Sequence, residues 1–179
     1  MTQRVMILAT NGFEQSELEK PKQLLEQAGY KTTVVSPESG QIKGWDQKDW
    51  GSPVDVDLTL DNANADDFAA LVLPGGQMNP DILRMNADAV AMVKAFADAG
   101  KPVAAICHGP WLLAEAGVVE GKTVTSWPSI RTDLRNAGAN VVDQECAIDG
   151  NFITSRKPDD IPAFTDALIA ALEKEVETV

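Results

Sequence analysis

The chain has 179 residues, 44% of them hydrophobic, and its 15 basic and 27 acidic residues give a net charge of -12 at pH 7. This length predicts one domain over residues 1–179, with a core that needs no disulfide or metal. The negative charge argues against nucleic acid or an anionic membrane as a partner. No bilayer-length apolar run or secretory signal is recognisable, and two cysteines give no disulfide framework, so we expect a cytoplasmic protein.

Strands and helices alternate from the start of the chain. Residues 4–10 are apolar enough for a strand buried on both faces, and the β-branched residues 31–36 predict a second strand. Between them lies an apolar helical face made of Leu18, Leu24, Leu25 and Ala28. Gly29 is a typical stop for this helix, and Pro21 predicts a kink or a late start.

The next stretch interrupts this alternation. Glycine and proline divide residues 37–64 into short pieces, which predicts a small antiparallel excursion carrying Trp45 and Trp50. Within it, residues 55–60 alternate polar and apolar like a half-exposed strand. We expect the two tryptophans to serve packing or an interface, and the parallel pattern resumes with a strand at residues 69–73.

The second half returns to alternating elements. A short helical piece is predicted from Asp81, and a strand is predicted to end at Ile106. The further helices are predicted at residues 87–99, 111–116, 128–137 and 158–175. The further strands are predicted at residues 122–125, 140–143, 146–148 and 151–155. Alternating helices and buried strands favour an α/β protein with a mainly parallel sheet covered on both faces.

Three turns are expected at the carboxyl edge of this sheet, where ligands collect in open α/β folds. Residues 11–14 follow the first strand and offer the Glu14 carboxyl group. Residues 74–76 offer glycine N–H groups that a substrate can approach closely. Residues 107–108 offer a thiol and an imidazole.

Cys107 lies where a short apolar strand turns sharply into a helix, a pattern typical of a nucleophile elbow with sulfur in place of hydroxyl. Such a corner favours the thiolate, and we predict the N–H groups of Gly76 and His108 as oxyanion donors. The plain alternative is that Cys107 is a small buried hydrophobic residue. We interpret Cys146, in a polar stretch, as structural.

His108 is the only histidine, so acid-base chemistry by an imidazole must use it. Adjacent side chains on a sharp turn usually diverge, so a contact with Cys107 requires the corner to orient both groups. The imidazole also needs an orienting carboxylate, for which Asp81 is the candidate. Glu14 could instead be a simple first-turn helix acid, and Gly75 with Gly76 a simple turn.

Four segments resemble the PfpI (intracellular protease I) family of the ThiJ/PfpI superfamily: AICHGP at 105–110, LPGG at 73–76, FE at 13–14 and SRKPDD at 155–160. The resemblance implies a flavodoxin-like three-layer sandwich and a homodimer or higher homo-oligomer. It implies that Cys107 is the nucleophile and that its thiolate accepts a hydrogen bond from a protonated Glu14. It also implies an acid beside His108 from a neighbouring subunit, at the position of Asp81.

The sequence departs from this family pattern around the site. Asp81 is shorter than the usual glutamate, and the loop at residues 77–80 is one residue longer than the common form. Trp111 replaces a frequent glutamine, and Trp127 stands where tyrosine is usual. We expect Trp127, with Gly75, to contact the substrate.

The resemblance implies a stress-related cysteine hydrolase that uses Cys107 on a carbonyl or a carbonyl adduct, with no cofactor and no metal. The expected substrates are peptides, for an intracellular peptidase, or glyoxal and methylglyoxal species, for a deglycase or glyoxalase. The alternative is a non-catalytic oxidative-stress sensor or a chaperone with an oxidisable Cys107. Class I glutamine amidotransferases share the cysteine elbow but need a downstream histidine, which this sequence lacks.

Overall fold

Helices and strands alternate in the computed structural model, which describes residues 2–177. The strands are β1 (Arg4–Leu8), β2 (Lys31–Ser36), β3 (Gln41–Asp46), β4 (Asp49–Asp55), β5 (Leu58–Thr59), β6 (Ala70–Leu73), β7 (Val103–Ile106), β8 (Thr123–Val124), β9 (Asn140–Val141), β10 (Ala147–Asp149) and β11 (Phe152–Ser155). The helices are α1 (Gln15–Gln27), α2 (Met78–Leu83), α3 (Ala87–Asp98), α4 (Trp111–Glu115), α5 (Arg131–Asn136) and α6 (Ile161–Glu177). Met1, Thr178 and Val179, which belong to the predicted domain of residues 1–179, lie outside the described residues.

Seven strands form the central sheet in the order β10-β11-β7-β6-β1-β2-β5. Every neighbouring pair is parallel except β10 and β11. The predicted mainly parallel α/β sheet is therefore confirmed. Because β11, β7, β6 and β1 are adjacent, the turns that follow them meet at one edge of the sheet.

Helices cover both faces of the sheet, because alternate strand residues point to opposite sides. Leu8 and Leu73 pack into one apolar cluster with residues of α3, α4 and α5. Ile7 and Val72 pack into a second cluster with residues of α1 and α6. This arrangement is the predicted three-layer sandwich. Within residues 2–177, no helix is both long and apolar enough to cross a membrane.

The antiparallel excursion is confirmed as the hairpin of β3 and β4, in which Trp45 pairs with Trp50 and their ring centroids are 5.5 Å apart. The strand predicted over residues 55–60 is present but shorter: β4 extends to Asp55, and β5 covers only Leu58–Thr59. The half-exposed alternation there reflects the end of a hairpin followed by a short edge strand.

Two helix starts also differ from the prediction. Helix α1 begins at Gln15 and continues through Pro21, so a late start is wrong. Proline removes one backbone donor, and burial of one helix face outweighs that loss. Helix α2 begins at Met78 rather than Asp81, which places Asn79 in its first turn.

Candidate active site

Cys107 follows β7 directly and adopts a left-handed backbone conformation with φ of 63°. Such a conformation costs a non-glycine residue roughly 1–2 kcal/mol, so the surrounding structure must hold it. The backbone N–H of Cys107 donates to the Ser155 carbonyl at 3.0 Å, and its carbonyl accepts from the Trp127 N–H at 2.9 Å. The sharp strand-to-helix corner predicted from the sequence is present.

Two backbone N–H groups donate to the Cys107 sulfur, from Gly76 and from His108. Gly76 has φ of +82°, and a Cβ there would lie 2.5 Å from the Gly12 carbonyl oxygen, so glycine is required. The structure therefore brings together the two N–H groups predicted as oxyanion donors. Both stabilise negative charge on sulfur or on an atom bonded to it.

The carboxyl group beside the thiol belongs to Glu17, not to Glu14. Glu17 is fully buried, its Oε1 accepts from the Gly75 N–H at 3.0 Å, and its side chain lies beside that of Cys107. Glu14 precedes α1, and its backbone N–H donates to the Gly75 carbonyl at 3.3 Å. The predicted contact between Glu14 and Cys107 is thus replaced by one from Glu17, three residues later in the chain.

The position of Glu17 on the apolar face of α1 is a sequence signal for a functional residue. In α1 it shares the buried face of the helix with Leu18, Pro21 and Leu25. An acidic residue on the apolar face of a helix is rare unless it is paired or functional. The helical spacing of these residues would have distinguished Glu17 from Glu14.

Burial strongly affects the ionisation of this pair. It raises the pKa of Glu17 to about 8, and the charge of Glu14 adds to this effect. Burial also raises the pKa of the Cys107 thiol, helped by the charge of Glu17 and opposed by the N–H groups of Gly76 and His108. The strand-to-helix corner alone therefore does not favour the thiolate, contrary to the prediction from the sequence. Below pH 8 Glu17 keeps its proton, which removes the charge that most opposes a thiolate.

The imidazole of His108 does turn towards the thiol. Its Nδ1 lies 3.3 Å from the Cys107 sulfur, and its Nε2 lies 3.4 Å from the Ser129 hydroxyl. The Trp127 ring stacks on the imidazole with centroids 6.2 Å apart, and the Trp111 ring meets it edge-on at 5.2 Å. Burial lowers the pKa of His108, so the imidazole is neutral at pH 7 and can accept a proton.

Asp81 is exposed in the first turn of α2, and among residues 2–177 no hydrogen bond joins it to His108. Within one chain, Ser129 and not Asp81 contacts the imidazole. Gly75 is also placed differently from the prediction, because its N–H is occupied by Glu17 and is not available to a substrate. Trp127 is 38% exposed at the rim of the site.

Cys107 and Cys146 are both free thiols. Cys146 is partly buried near Ser155, one strand away from the elbow. Across the described part of the chain, no group of three or more His, Cys, Asp or Glu side chains is placed to hold a metal ion. The site therefore consists of a thiol, a carboxyl group, an imidazole and two backbone donors.

Known proteins share this chain's sequence almost from end to end. Deglycase TK1284 of Thermococcus kodakarensis is 43% identical, over 94% of this chain and 99% of its own length. General stress protein 18 of Bacillus subtilis is also 43% identical, over 97% of this chain and all of its own length. YraA of Bacillus subtilis, provisionally named a cysteine protease, is 40% identical over 92% of this chain and 95% of its own length.

A solved structure shows the same fold. A two-domain protein of Anabaena variabilis, with DJ-1/ThiJ/PfpI-like and ferritin-like domains, is 37% identical and superposes with a TM-score of 0.91. The match covers 96% of this chain and 48% of that longer one. Residues 3–171 match the DJ-1/PfpI family. The chain therefore belongs to the DJ-1/PfpI family.

Proposed function

We propose that this protein is a stress-related cysteine hydrolase that acts on glyoxal and methylglyoxal species, as a deglycase or a glyoxalase. One observation carries the proposal: the Cys107 sulfur is surrounded by the Glu17 carboxyl group, the imidazole of His108 and two backbone N–H donors. The deglycase name of TK1284 and the name of general stress protein 18 support the same class.

The first step is attack of the Cys107 thiolate on the aldehyde carbon. A C–S bond forms, and the carbonyl electron pair moves to the oxygen. The imidazole of His108 takes the thiol proton as the sulfur attacks, and the N–H groups of Gly76 and His108 stabilise the charge on the oxygen. The imidazole then passes its proton to the resulting alkoxide and is neutral again. The product of the step is a covalent thiohemiacetal.

The second step moves a proton within the bound methylglyoxal. Neutral His108 takes the proton from the carbon bonded to sulfur while Glu17 protonates the ketone oxygen, which gives an enediol. His108 then returns its proton to the neighbouring carbon, and the hydroxyl on the carbon bonded to sulfur returns a proton to Glu17 as the carbonyl forms. The result is a thioester of a 2-hydroxy acid. Water then cleaves the C–S bond, releases the acid and restores the Cys107 thiol, so no external oxidant or reductant is needed.

Replacing Cys107 by alanine tests the proposal directly. We expect methylglyoxal consumption to fall by at least ~1,000-fold, because the covalent step is lost. Cys146→Ala is the matched control and should keep wild-type turnover, since Cys146 lies away from the elbow. Turnover by Cys107→Ala at the wild-type rate would contradict the proposal, and a wild type without turnover would favour the sensor alternative.

Peptide hydrolysis is the second candidate, favoured by the similarity to YraA. The two donors at Cys107 also suit the oxyanion of an acyl-enzyme formed from a peptide. A panel of an amidated peptide, a hemithioacetal and free glyoxals separates the two activities. We expect turnover of the carbonyl compounds to exceed that of the peptide.

We further propose that the protein is a homo-oligomer in which Asp81 from a second copy orients His108. Asp81→Asn should then lower kcat about 10-fold and shift the pH profile, whereas Asp88→Asn, an exposed first-turn acid of α3, should change neither. Co-expression of Asp81→Asn with Cys107→Ala should restore activity in mixed oligomers. A wild-type pH profile for Asp81→Asn would exclude Asp81 and leave Ser129 as the partner of the imidazole.

A further inference from the structure

Asn79 is a fully buried amide that connects two turns at the carboxyl edge of the sheet. Its Oδ1 accepts a hydrogen bond from the Thr10 backbone N–H at 2.8 Å. Its Nδ2 donates to the carbonyl oxygens of Pro74, at 2.9 Å, and Gly75, at 3.2 Å. Because Thr10 offers a donor and the two carbonyls are acceptors, only one orientation of the amide satisfies all three contacts.

The two carbonyls held by Asn79 belong to the peptide units that carry the donors of the site. In a trans peptide the C=O and N–H bonds point in opposite directions, and every described peptide bond is trans. The unit with the Pro74 carbonyl carries the Gly75 N–H, which donates to Glu17. The unit with the Gly75 carbonyl carries the Gly76 N–H, which donates to the Cys107 sulfur.

This turn needs such a restraint. Glycine at position 75 lets the backbone approach Glu17 and Cys107 closely, and glycine at position 76 lets it approach the backbone of Gly12 and Glu14. Both glycines also lower the cost of rotating the peptide units. Rotation would aim a carbonyl oxygen at the thiol in place of an N–H. The Glu14 N–H also holds the Gly75 carbonyl, at a longer 3.3 Å.

We propose that Asn79 is the positioning residue of the site, whose one amide group aims the Gly75 N–H at Glu17 and the Gly76 N–H at Cys107. Its hydrogen bond from Thr10 ties this turn to the segment that follows β1. The effect expected on turnover rests on the proposed function. The effect expected on the thiol does not, because it requires no substrate.

Asn79→Asp is the test, since aspartate keeps the shape and the acceptor for Thr10 but places an oxygen against the two carbonyls. We expect kcat to fall ~100-fold with KM changed less than ~3-fold, because the lost donor acts on the transition state. The pH midpoint of Cys107 alkylation by iodoacetamide should rise, because the N–H groups of Gly75 and Gly76 lower the pKa values of Glu17 and Cys107.

Asn86→Ala is the matched control. Asn86 also accepts two backbone hydrogen bonds, from Asp88 and Ala89, each at 3.0 Å, but it caps α3 away from the thiol. This variant should lower Tm and leave both kcat and the alkylation midpoint unchanged. If Asn79 had a purely structural role, its variants would also show a lower Tm with unchanged kcat and an unchanged alkylation midpoint.

Asn79→Ala is the alternative variant for these measurements if the Asn79→Asp protein does not fold. In the wild type, slow solvent exchange of the Asn79 side-chain amide protons provides a measurement that needs no variant. Folded Asn79 variants with wild-type kcat and alkylation midpoint, or rapid exchange of the Asn79 amide protons, would overturn the proposal. Should Cys107→Ala leave methylglyoxal turnover intact, the proposed function fails, and the alkylation midpoint still decides the role of Asn79.

Discussion

Replacing Glu17 by glutamine is expected to raise the free energy of unfolding at pH 7 by about 3 kcal/mol. Burial holds the pKa of Glu17 at about 8, against an ordinary value of 4.5. In the unfolded chain the carboxyl group is therefore ionised at pH 7, whereas in the folded chain it keeps a proton. Holding that proton from pH 4.5 to pH 7 costs about 1.4 kcal/mol per pH unit.

The sign follows from proton binding. Between pH 4.5 and pH 8 the folded state binds more protons than the unfolded state, so the stability of the wild type falls as the pH rises through this window. Glutamine is uncharged in both states, so Glu17→Gln removes this dependence. Thermal unfolding should show a Tm about 10 °C above that of the wild type at pH 7, and a much smaller difference at pH 4.

Glu14→Gln is the control, because Glu14 lies closer to solvent and its carboxyl group does not contact the thiol. Its Tm should change far less than that of Glu17→Gln. The activity should also separate the two variants. Wild-type turnover should fall above pH 8 as Glu17 ionises, and this decline should be absent in Glu17→Gln, whose overall kcat is lower. An equal effect of both variants on Tm and activity would contradict the assignment of Glu17.

Gly76→Ala is expected to cost about 2–4 kcal/mol in stability and ~100-fold or more in kcat. A Cβ at Gly76 would lie 2.5 Å from the Gly12 carbonyl oxygen and 2.6 Å from the Glu14 backbone nitrogen. Backbone atoms cannot move away as flexible side chains can. The turn must therefore shift, and the Gly76 N–H leaves the Cys107 sulfur. Chemical denaturation and methylglyoxal kinetics measure the two effects.

Gly40→Ala is matched to this change, because Gly40 has the same φ of +82° with no atom within 4 Å of an added Cβ. It reports the cost of the left-handed backbone alone, roughly 1 kcal/mol. The difference between the two variants is then the effect of crowding at the site. If Gly76→Ala were no worse than Gly40→Ala, close approach at the turn would not be required.

The main architecture could be predicted from the sequence because it depends on local patterns. The buried strands at β1, β6 and β7 are continuous apolar runs, and the elbow at Cys107 lies directly after one of them. Topology then brings consecutive turns to one edge of the sheet. For the same reason Gly76 and His108 were placed correctly beside the thiol.

Contacts that depend on which face of a helix is buried could not be predicted from these local patterns. Glu14 and Glu17 differ by less than one turn of α1, and only the burial of one helix face selects Glu17. Asn79 was assigned to a loop, so its buried position in the first turn of α2 was missed. Ser129 contacts the imidazole because the corner turns His108 inward. The spacing of the two residues in the sequence does not indicate this contact.

The most direct test of the central claim is to find where methylglyoxal bonds to the protein. The protein is mixed with methylglyoxal, quenched in acid within one turnover, digested and mapped by mass spectrometry. The account predicts a mass increase equal to one methylglyoxal on the peptide containing Cys107, and none on the peptide containing Cys146. Turnover without a covalent adduct at Cys107, or with equal labelling of both cysteines, would contradict it.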